Sequence, residues 1–290
     1  MSRPVIHPDW LIRPKDVLHG YSLEVTAKDI PALNEAAPDI WEGAPIAVPF
    51  LPGESHAARV EAAKAVRALG FEPMPHFSAR RIASQEEFET YLADAVREAG
   101  VERCFVVAGD PSIPAGPFPD SSSLIATCAF ERAGIKVIGI GGHPEGHPVM
   151  TDEQCWTVLA SKCSEIEGRG MAPLIVTQFA FDADAMLAWL KELRLRGLDH
   201  AVRVGVPGPA GIKTLARFAA MCGVGASTAV LKKYGISIGQ LIGTAGPDKF
   251  LLKLKTGLGP EHGPVRLHFY PFGGVSKTVS WIADYRQRSD

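Results

Sequence analysis

The sequence predicts a (β/α)8 barrel, the fold class known as a TIM barrel. Eight apolar, strand-like segments alternate with about as many helical segments within 290 residues. Polar residues follow several of these strands, as they do at the carboxyl ends of barrel strands that carry chemistry. No long proline- or serine-rich linker interrupts the chain, so we expect a single domain over residues 1–290. A doubly wound open sheet is the structural alternative.

The predicted strands are runs of apolar and β-branched residues that end at a glycine, a proline or a polar residue. They cover residues 21–26, 44–50, 71–77, 104–108, 137–140, 173–177, 201–206 and 264–270. The glycine-rich pieces do not form the pattern GxGxxG after the first strand, which weighs against a dinucleotide-binding open sheet.

The predicted helices combine apolar residues at helical spacing with recognisable ends. Ser84 and Glu87 form a capping box at the start of one helix, and Gly100 ends it. The others are expected over residues 55–69, 121–133, 151–167, 182–196 and 212–221, with a last helix to about residue 285. We also expect a short polar N-terminal arm and a helical insertion around 227–255.

The composition is that of an ordinary globular protein, with 46% hydrophobic and 21% charged residues and a net charge of −2. No basic stripe predicts nucleic-acid binding, and no apolar run is long enough to cross a membrane. The start of the chain does not resemble a signal peptide. The five cysteines include no CxxC pair, so we expect reduced thiols and a cytoplasmic protein. The sequence leaves homo-oligomer formation open.

Two carboxylates stand out at predicted strands. Glu24 lies between Leu23 and Val25, where an ion is costly to bury. It is therefore either paired or kept for proton chemistry with a raised pKa, unless it faces outward at a sheet edge. Asp110 follows the fourth strand, where it either caps the next helix or belongs to a site.

Other polar residues also follow strands: His76 after strand three, Gln178 after strand six, and His268 with Tyr270 at the end of strand eight. After strand five come His143, Glu145 and His147, a set that offers metal-ligand types. Prolines break the alternation of that set, so a metal site is only an alternative and no metal ligand is assigned.

Seven of these strand-end segments, in order along the chain, resemble the catalytic barrel of the methylenetetrahydrofolate reductase family. They are residues 22–25 (SLEV), 76–79 (HFSA), 107–111 (VAGDP), 143–148 (HPEGHP), 176–182 (VTQFAFD), 207–211 (PGPAG) and 267–272 (LHFYPF). Each match is weak by itself, but together they are specific.

The resemblance implies interconversion of 5,10-methylenetetrahydrofolate and 5-methyltetrahydrofolate with NAD(P)H. Carried over residue by residue, Glu24 would be the general acid that opens the five-membered ring as an iminium ion, which requires a proton donor. Asp110 would hydrogen-bond the pterin, Gln178 would bind folate, and Tyr270 would lie near the reducing ring. The residues carried over to cofactor binding are His76, Gly109, His143, His147 and Lys162.

The chain departs from the family where the family binds FAD. The loop after strand two, residues 48–55 (VPFLPGES), has two prolines and one glycine where the family has a glycine-rich loop. The residues that replace family contacts to the flavin are Ala108, His143, Cys155, Val158 and Ser161. Either FAD is bound differently, or NAD(P)H passes its hydride directly to the folate iminium.

Two further functions stay open at this point. One is another barrel enzyme, such as a metal-dependent lyase that uses His143, Glu145 and His147. The other is a non-catalytic folate-binding subunit, since the flavin site is altered. The presence of Glu24, Asp110 and Gln178 argues against the second.

Overall fold

The computed structural model describes residues 17–221 and 244–289, and it confirms the predicted barrel. The barrel strands are β1 Ser22–Glu24, β2 Pro45–Val48, β3 Glu72–Ser78, β4 Arg103–Val107, β5 Val137–Gly142, β6 Ala172–Phe179, β7 Ala201–Pro207 and β8 Val265–Tyr270. All neighbours are parallel, and the order β1-β8-β7-β6-β5-β4-β3-β2 closes on itself. The open-sheet alternative is therefore wrong, and the barrel has no edge on which Glu24 could lie.

Helices surround the barrel. They are α1 Ile30–Ala36, α2 His56–Ala68, α3 Gln85–Ala99, α4 Ser121–Ile125, α5 Ala129–Arg132, α6 Asp152–Gly168, α7 Ala183–Leu195, α8 Ile212–Met221, α9 Asp248–Gly257 and α10 Val275–Ser289. One half of the predicted capping box is confirmed, because the Ser84 hydroxyl accepts from the Glu87 backbone N–H. The Glu87 carboxylate differs from the prediction, since it accepts from the backbone N–H of Ala83. No helix in these two ranges is long and apolar enough to cross a membrane.

The helix predicted over residues 121–133 is two short helices. Cys128 adopts a left-handed conformation with φ of 61°. A residue in this conformation cannot continue a right-handed helix, so α4 and α5 are separated. The sequence analysis also missed α1 and the two short 3-10 turns that flank it, at Ala27–Asp29 and Ala37–Asp39.

Parts of two predicted segments lie outside the described residues, namely most of the N-terminal arm and residues 227–243 of the expected insertion. Beyond them, Thr244–Ala245 pairs antiparallel with Ala210–Gly211, and α9 follows. Cys222 also lies outside, while Cys104, Cys128, Cys155 and Cys163 are free thiols.

The core has two layers, one inside the barrel and one between strands and helices. The inner layer consists of Ala47, Met74, Phe105, Leu174 and Val176. Because side chains alternate along barrel strands, these residues share the interior with the polar residues of β1 and β8.

The amino end of the barrel interior holds two buried arginines, Arg203 and Arg266. Arg203 donates to the carbonyl of Gly20 at 3.0 Å, which ties the residues before β1 to this end. Because these arginines fill the amino end, we expect a site at the carboxyl end of the barrel.

Candidate active site

Glu24 ends β1 inside the barrel and faces two histidines. Its Oε2 lies 3.7 Å from Nε2 of His76 on β3 and 3.9 Å from Nε2 of His268 on β8. The register pairs Ser22 with His268, and the Ser22 Oγ lies 2.8 Å from Nδ1 of that ring. Three strands thus bring one carboxylate and two imidazoles to one point at the carboxyl end of the barrel.

The neighbours of Glu24 decide its charge. Burial raises the pKa of this carboxyl, but the nearby imidazoles of His268 and His76 together lower it by more, so the net shift is downward. The predicted raised pKa is therefore wrong for the protein without substrate. The pairing alternative is correct, because two imidazoles face the carboxylate.

Both histidines are held in the neutral form. Burial lowers the pKa of His76 to about 4 despite the nearby Glu24, and its ring packs 4.6 Å from the ring of Phe105. Burial also lowers the pKa of His268, while the nearby carboxylate of Glu24 opposes that shift. At neutral pH the cluster is a carboxylate beside two neutral imidazoles, groups between which a proton can move.

Tyr270 lies beside this cluster, and Gln178 follows the residue that Tyr270 contacts on β6. The Tyr270 hydroxyl donates to the carbonyl of Thr177 at 3.1 Å, and the tyrosine ring packs edge-on against His268 at 4.8 Å. Gln178 follows Thr177 at the end of β6 and is half-buried, with its Oε1 accepting from the backbone N–H of Phe179 at 3.1 Å. The phenol therefore lies beside the Glu24 cluster, and the amide lies at the end of the strand that the phenol contacts.

Asp110 occupies a different position, on the loop after β4. Its side chain is 73% exposed and forms an ion pair with Arg81, whose Nε lies 3.0 Å from Oδ1. It does not cap the next helix, because Asp120 does so by accepting from the Ser123 backbone N–H. The capping alternative for Asp110 is therefore wrong.

Gly109 precedes Asp110 and has a φ of 88°, which favours glycine. A Cβ at this position would lie 3.3 Å from the Ser78 hydroxyl. The sharp turn that carries Asp110 out of the barrel therefore depends on a glycine.

Three predicted cofactor residues form a basic cluster beyond β5. The rings of His143 and His147 pack edge-on at 4.7 Å. Burial lowers the pKa of His143 to about 4, and the charges of His147 and Lys162 add to that shift. Burial also lowers the pKa of Lys162, with Asp120 opposing it. The cluster offers donors suited to an anionic group.

Glu145 does not join these histidines. Its Oε1 accepts from the backbone N–H groups of Phe181 and Asp182, both at 2.9 Å, at the start of α7. Within residues 17–221 and 244–289, no group of three or more histidine, cysteine or acidic side chains is arranged to hold a metal ion.

Side-chain packing holds the loop after β2 in place. The fully buried Arg59 lies 3.3 Å from the centre of the Phe50 ring and 4.6 Å from that of Tyr91. A cavity of about 550 Å³ opens between the loops that follow β2, β3 and β4, lined in part by Phe50, Glu54 and Arg81. Pro49 and Pro52 have no backbone N–H to offer a phosphate in this loop.

The sequence analysis noted His268 at a strand end without giving it a role, and it missed Ser22. The sequence did contain one signal for these two residues, namely the alternation of side chains between the two faces of a strand. On β8 the residues 266, 268 and 270 share one face, and on β1 Ser22 shares a face with Glu24. Only the register between β1 and β8 shows that these two faces meet.

Comparison with known proteins gives a family. A model of the family described as methylenetetrahydrofolate reductase matches residues 47–237. Methylenetetrahydrofolate reductase 2 of Saccharomyces cerevisiae is 26% identical over 174 residues, which cover 57% of this chain and 27% of the yeast protein. The similarity thus spans about a quarter of the yeast protein's length.

Solved structures agree on the fold. Dihydropteroate synthase from Thermus thermophilus superposes with a TM-score of 0.52 at 12% identity, covering 92% of this chain and 94% of that one. Dihydropteroate synthase from Burkholderia cenocepacia gives a TM-score of 0.50 at 13% identity, covering 92% and 91%. At these identities the likeness shows the barrel fold alone.

Proposed function

Because the chain belongs to the methylenetetrahydrofolate reductase family, we propose that it is an oxidoreductase that interconverts 5,10-methylenetetrahydrofolate and 5-methyltetrahydrofolate with NAD(P)H. The observation that carries the proposal is the placement of Glu24 at the barrel mouth, facing His76 and His268. Opening the methylene bridge needs a proton at a ring nitrogen, and this cluster is built to deliver one.

In the reductive direction, the bond between the bridging carbon and one ring nitrogen breaks while that nitrogen takes a proton from Glu24. The resulting iminium carbon then accepts a hydride from the nicotinamide, which gives the methyl group and NAD(P)+. Glu24 is ionised in the free protein, so it must take up a proton before or during substrate binding. A bound pterin would cover the 22% of its side chain that is exposed, which favours the protonated form.

We assign folate binding to Gln178, Tyr270 and Asp110. Tyr270 stands beside the Glu24 cluster and contacts the residue before Gln178. The Gln178 amide suits the donors and acceptors on the edge of a pterin. Tyr270 would lie near the reducing ring. Arg81 holds Asp110 on the rim. We assign its exposed carboxylate a hydrogen bond to the pterin.

The residues present do not fit a tightly held FAD. The loop after β2 contains Pro49 and Pro52, and its space is packed by Arg59 against Phe50. On α6, Ser161 is exposed and the half-buried Cys155 has a thiol whose pKa burial raises, so neither position offers an ionic contact. We therefore propose direct hydride transfer from NAD(P)H to the folate.

The nicotinamide dinucleotide brings a pyrophosphate, and we assign this anion to His143, His147 and Lys162. Protonation of either imidazole and the charge of Lys162 would be favoured by a bound phosphate, which offsets the burial that lowers their pKa values. Gly109 and His76 would border the cofactor where it enters the mouth.

The test begins with freshly purified protein. We expect a protein without the visible absorbance of a flavin that oxidises NAD(P)H only when methylenetetrahydrofolate is present. Initial rates against both substrates should give intersecting lines, because direct transfer needs both bound at once, and added FAD should not increase the rate.

Three outcomes would contradict the proposal. A yellow protein with one tightly held FAD per chain and parallel-line kinetics would overturn direct transfer. Folate binding without NAD(P)H oxidation would instead support a non-catalytic folate-binding subunit. Failure to bind folate would contradict the proposal that the substrate is a folate.

A further inference from the structure

A buried line of side chains leads from Ser22 through His268 to Glu24. Ser22 and His268 are 0% and 1% exposed. The Ser22 Oγ lies 2.8 Å from Nδ1 of the ring, and Nε2 on the opposite side of the ring lies 3.9 Å from Glu24 Oε2. The ring therefore stands between a hydroxyl and a carboxylate.

The Ser22 hydroxyl is placed to fix which nitrogen of the ring carries the proton. Ser22 either donates to Nδ1 at 2.8 Å, or accepts from Nδ1 at that distance while it donates to the carbonyl of Leu267 at 3.4 Å, a weaker hydrogen bond. If Ser22 donates to Nδ1, a neutral ring carries its proton on Nε2, which faces Glu24. The opposite tautomer would place a lone pair against an ionised carboxylate.

We propose that His268 is a positioning residue, whose ring is fixed by Ser22 so that Nε2–H points at Glu24 and sets the pH at which this carboxylate takes up the catalytic proton. The inference rests on the proposed function for the use of that proton. The arrangement itself rests on the register of β1 with β8 and on the distances given above.

Other charged or titratable groups also act on the pKa values along the line from Ser22 through His268 to Glu24. His76 on β3 lies 3.7 Å from Glu24, and the charge of Arg203 on β7 adds to the lowering of the His268 pKa. The charge of Arg59 on α2 acts in the same direction on His76. If the His268 ring is removed, His76 is the remaining neighbour that lowers the pKa of Glu24 against the effect of burial.

Two matched variants separate the roles of the two ring nitrogens. An asparagine at position 268 can keep the contact to Ser22 but is too short to reach Glu24, whereas a glutamine extends an amide N–H to the place of Nε2. In the reductive direction kcat/KM falls as pH rises through the pKa of Glu24, because the acid is lost. For His268→Asn we expect this fall to move to higher pH by about one unit, a tenfold change in proton affinity.

For His268→Gln we expect a shift of less than half that size. Equal shifts in both variants, or no shift in His268→Asn, would overturn the proposal. Ser22→Ala is a second test, because it keeps the His268 ring but removes the hydroxyl that fixes which nitrogen carries the proton. We expect the fall in kcat/KM to move in the same direction as for His268→Asn. Circular dichroism and thermal unfolding show which variants are folded.

A readout independent of turnover keeps this inference separate from the proposed function. The carboxyl of Glu24 is titrated by carbon NMR in protein labelled at glutamate, with Glu24→Gln identifying the signal. The titration midpoint should rise in His268→Asn and in Ser22→Ala even if no reductase activity is found. An unchanged midpoint in both folded variants would contradict the role of His268, whatever the activity.

Discussion

At the residue scale, the charge of Glu24 follows from two effects that shift its pKa in opposite directions. Burial favours the neutral acid, and the two imidazoles favour the carboxylate. Both imidazoles are kept neutral by their own burial, so they act as hydrogen-bonding and polar groups and not as fixed cations. Substrate binding changes the balance, because it removes the remaining water from the carboxylate.

Replacing Glu24 by glutamine tests its role as the proton donor. The change keeps the shape but removes the acid, so we expect turnover to fall by roughly 10²–10⁴-fold with folate binding nearly unchanged. Steady-state kinetics and a folate titration measure the two effects. A loss of activity below about threefold would remove Glu24 from the proton transfer.

Replacing Asp110 by alanine tests its contact with folate. A hydrogen bond made in both ground and transition state should affect binding and rate together, and we expect the folate Kd to rise roughly tenfold. Asp94→Ala is the matched control, since Asp94 also pairs with an arginine, Arg97, but lies on α3. An unchanged Kd for Asp110→Ala would limit this residue to anchoring Arg81.

At the scale of elements, the loops after the strands are held by specific contacts. Glu145 connects the loop after β5 to the start of α7 through two backbone N–H groups. Thr151 and Gln154 form a capping box at the start of α6, the helix that carries Lys162. The basic cluster therefore depends on loop and cap geometry as well as on its own side chains.

Glu145→Ala should destabilise the protein, because two backbone donors lose their acceptor. We expect a loss of about 1–3 kcal/mol in the free energy of unfolding, measured by urea denaturation. Glu145→Gln keeps an acceptor oxygen and should cost less. If alanine and glutamine cost the same, the two hydrogen bonds do not explain the effect. The exposed Glu42→Ala serves as the control, for which we expect a change below about 0.5 kcal/mol.

At the scale of the whole molecule, closure of the barrel brings β1 against β8 and so assembles the Glu24 cluster. The register of β6 with β7 is irregular between Val176 and Phe179, at the mouth. Gly205 on β7 packs directly against this irregular stretch, and its backbone N–H donates to the Thr177 hydroxyl at 2.8 Å. Packing at one glycine thus supports the strand end that carries Gln178.

Gly205→Ala should therefore strain the barrel. Its Cβ would lie 2.5 Å from the carbonyl oxygen of Thr177, a backbone atom held in a strand. We expect a loss of about 1–3 kcal/mol in the free energy of unfolding. Gly168→Ala is the control, since a Cβ there meets no atom within 4 Å. Equal stability of the two variants would show that β6 moves freely at this point.

The barrel, the order of its strands and helices, and the strand-end positions of Glu24, Gln178 and Tyr270 can all be predicted from the amino-acid sequence. These follow from local patterns, namely apolar runs, helix ends and polar residues after strands. The folded structure was needed to show that His268 and His76 face Glu24, that Asp110 pairs with Arg81, and that Glu145 contacts the start of α7. Such contacts join residues far apart in the chain, and the charge of a buried group depends on those neighbours. No local pattern contains that information.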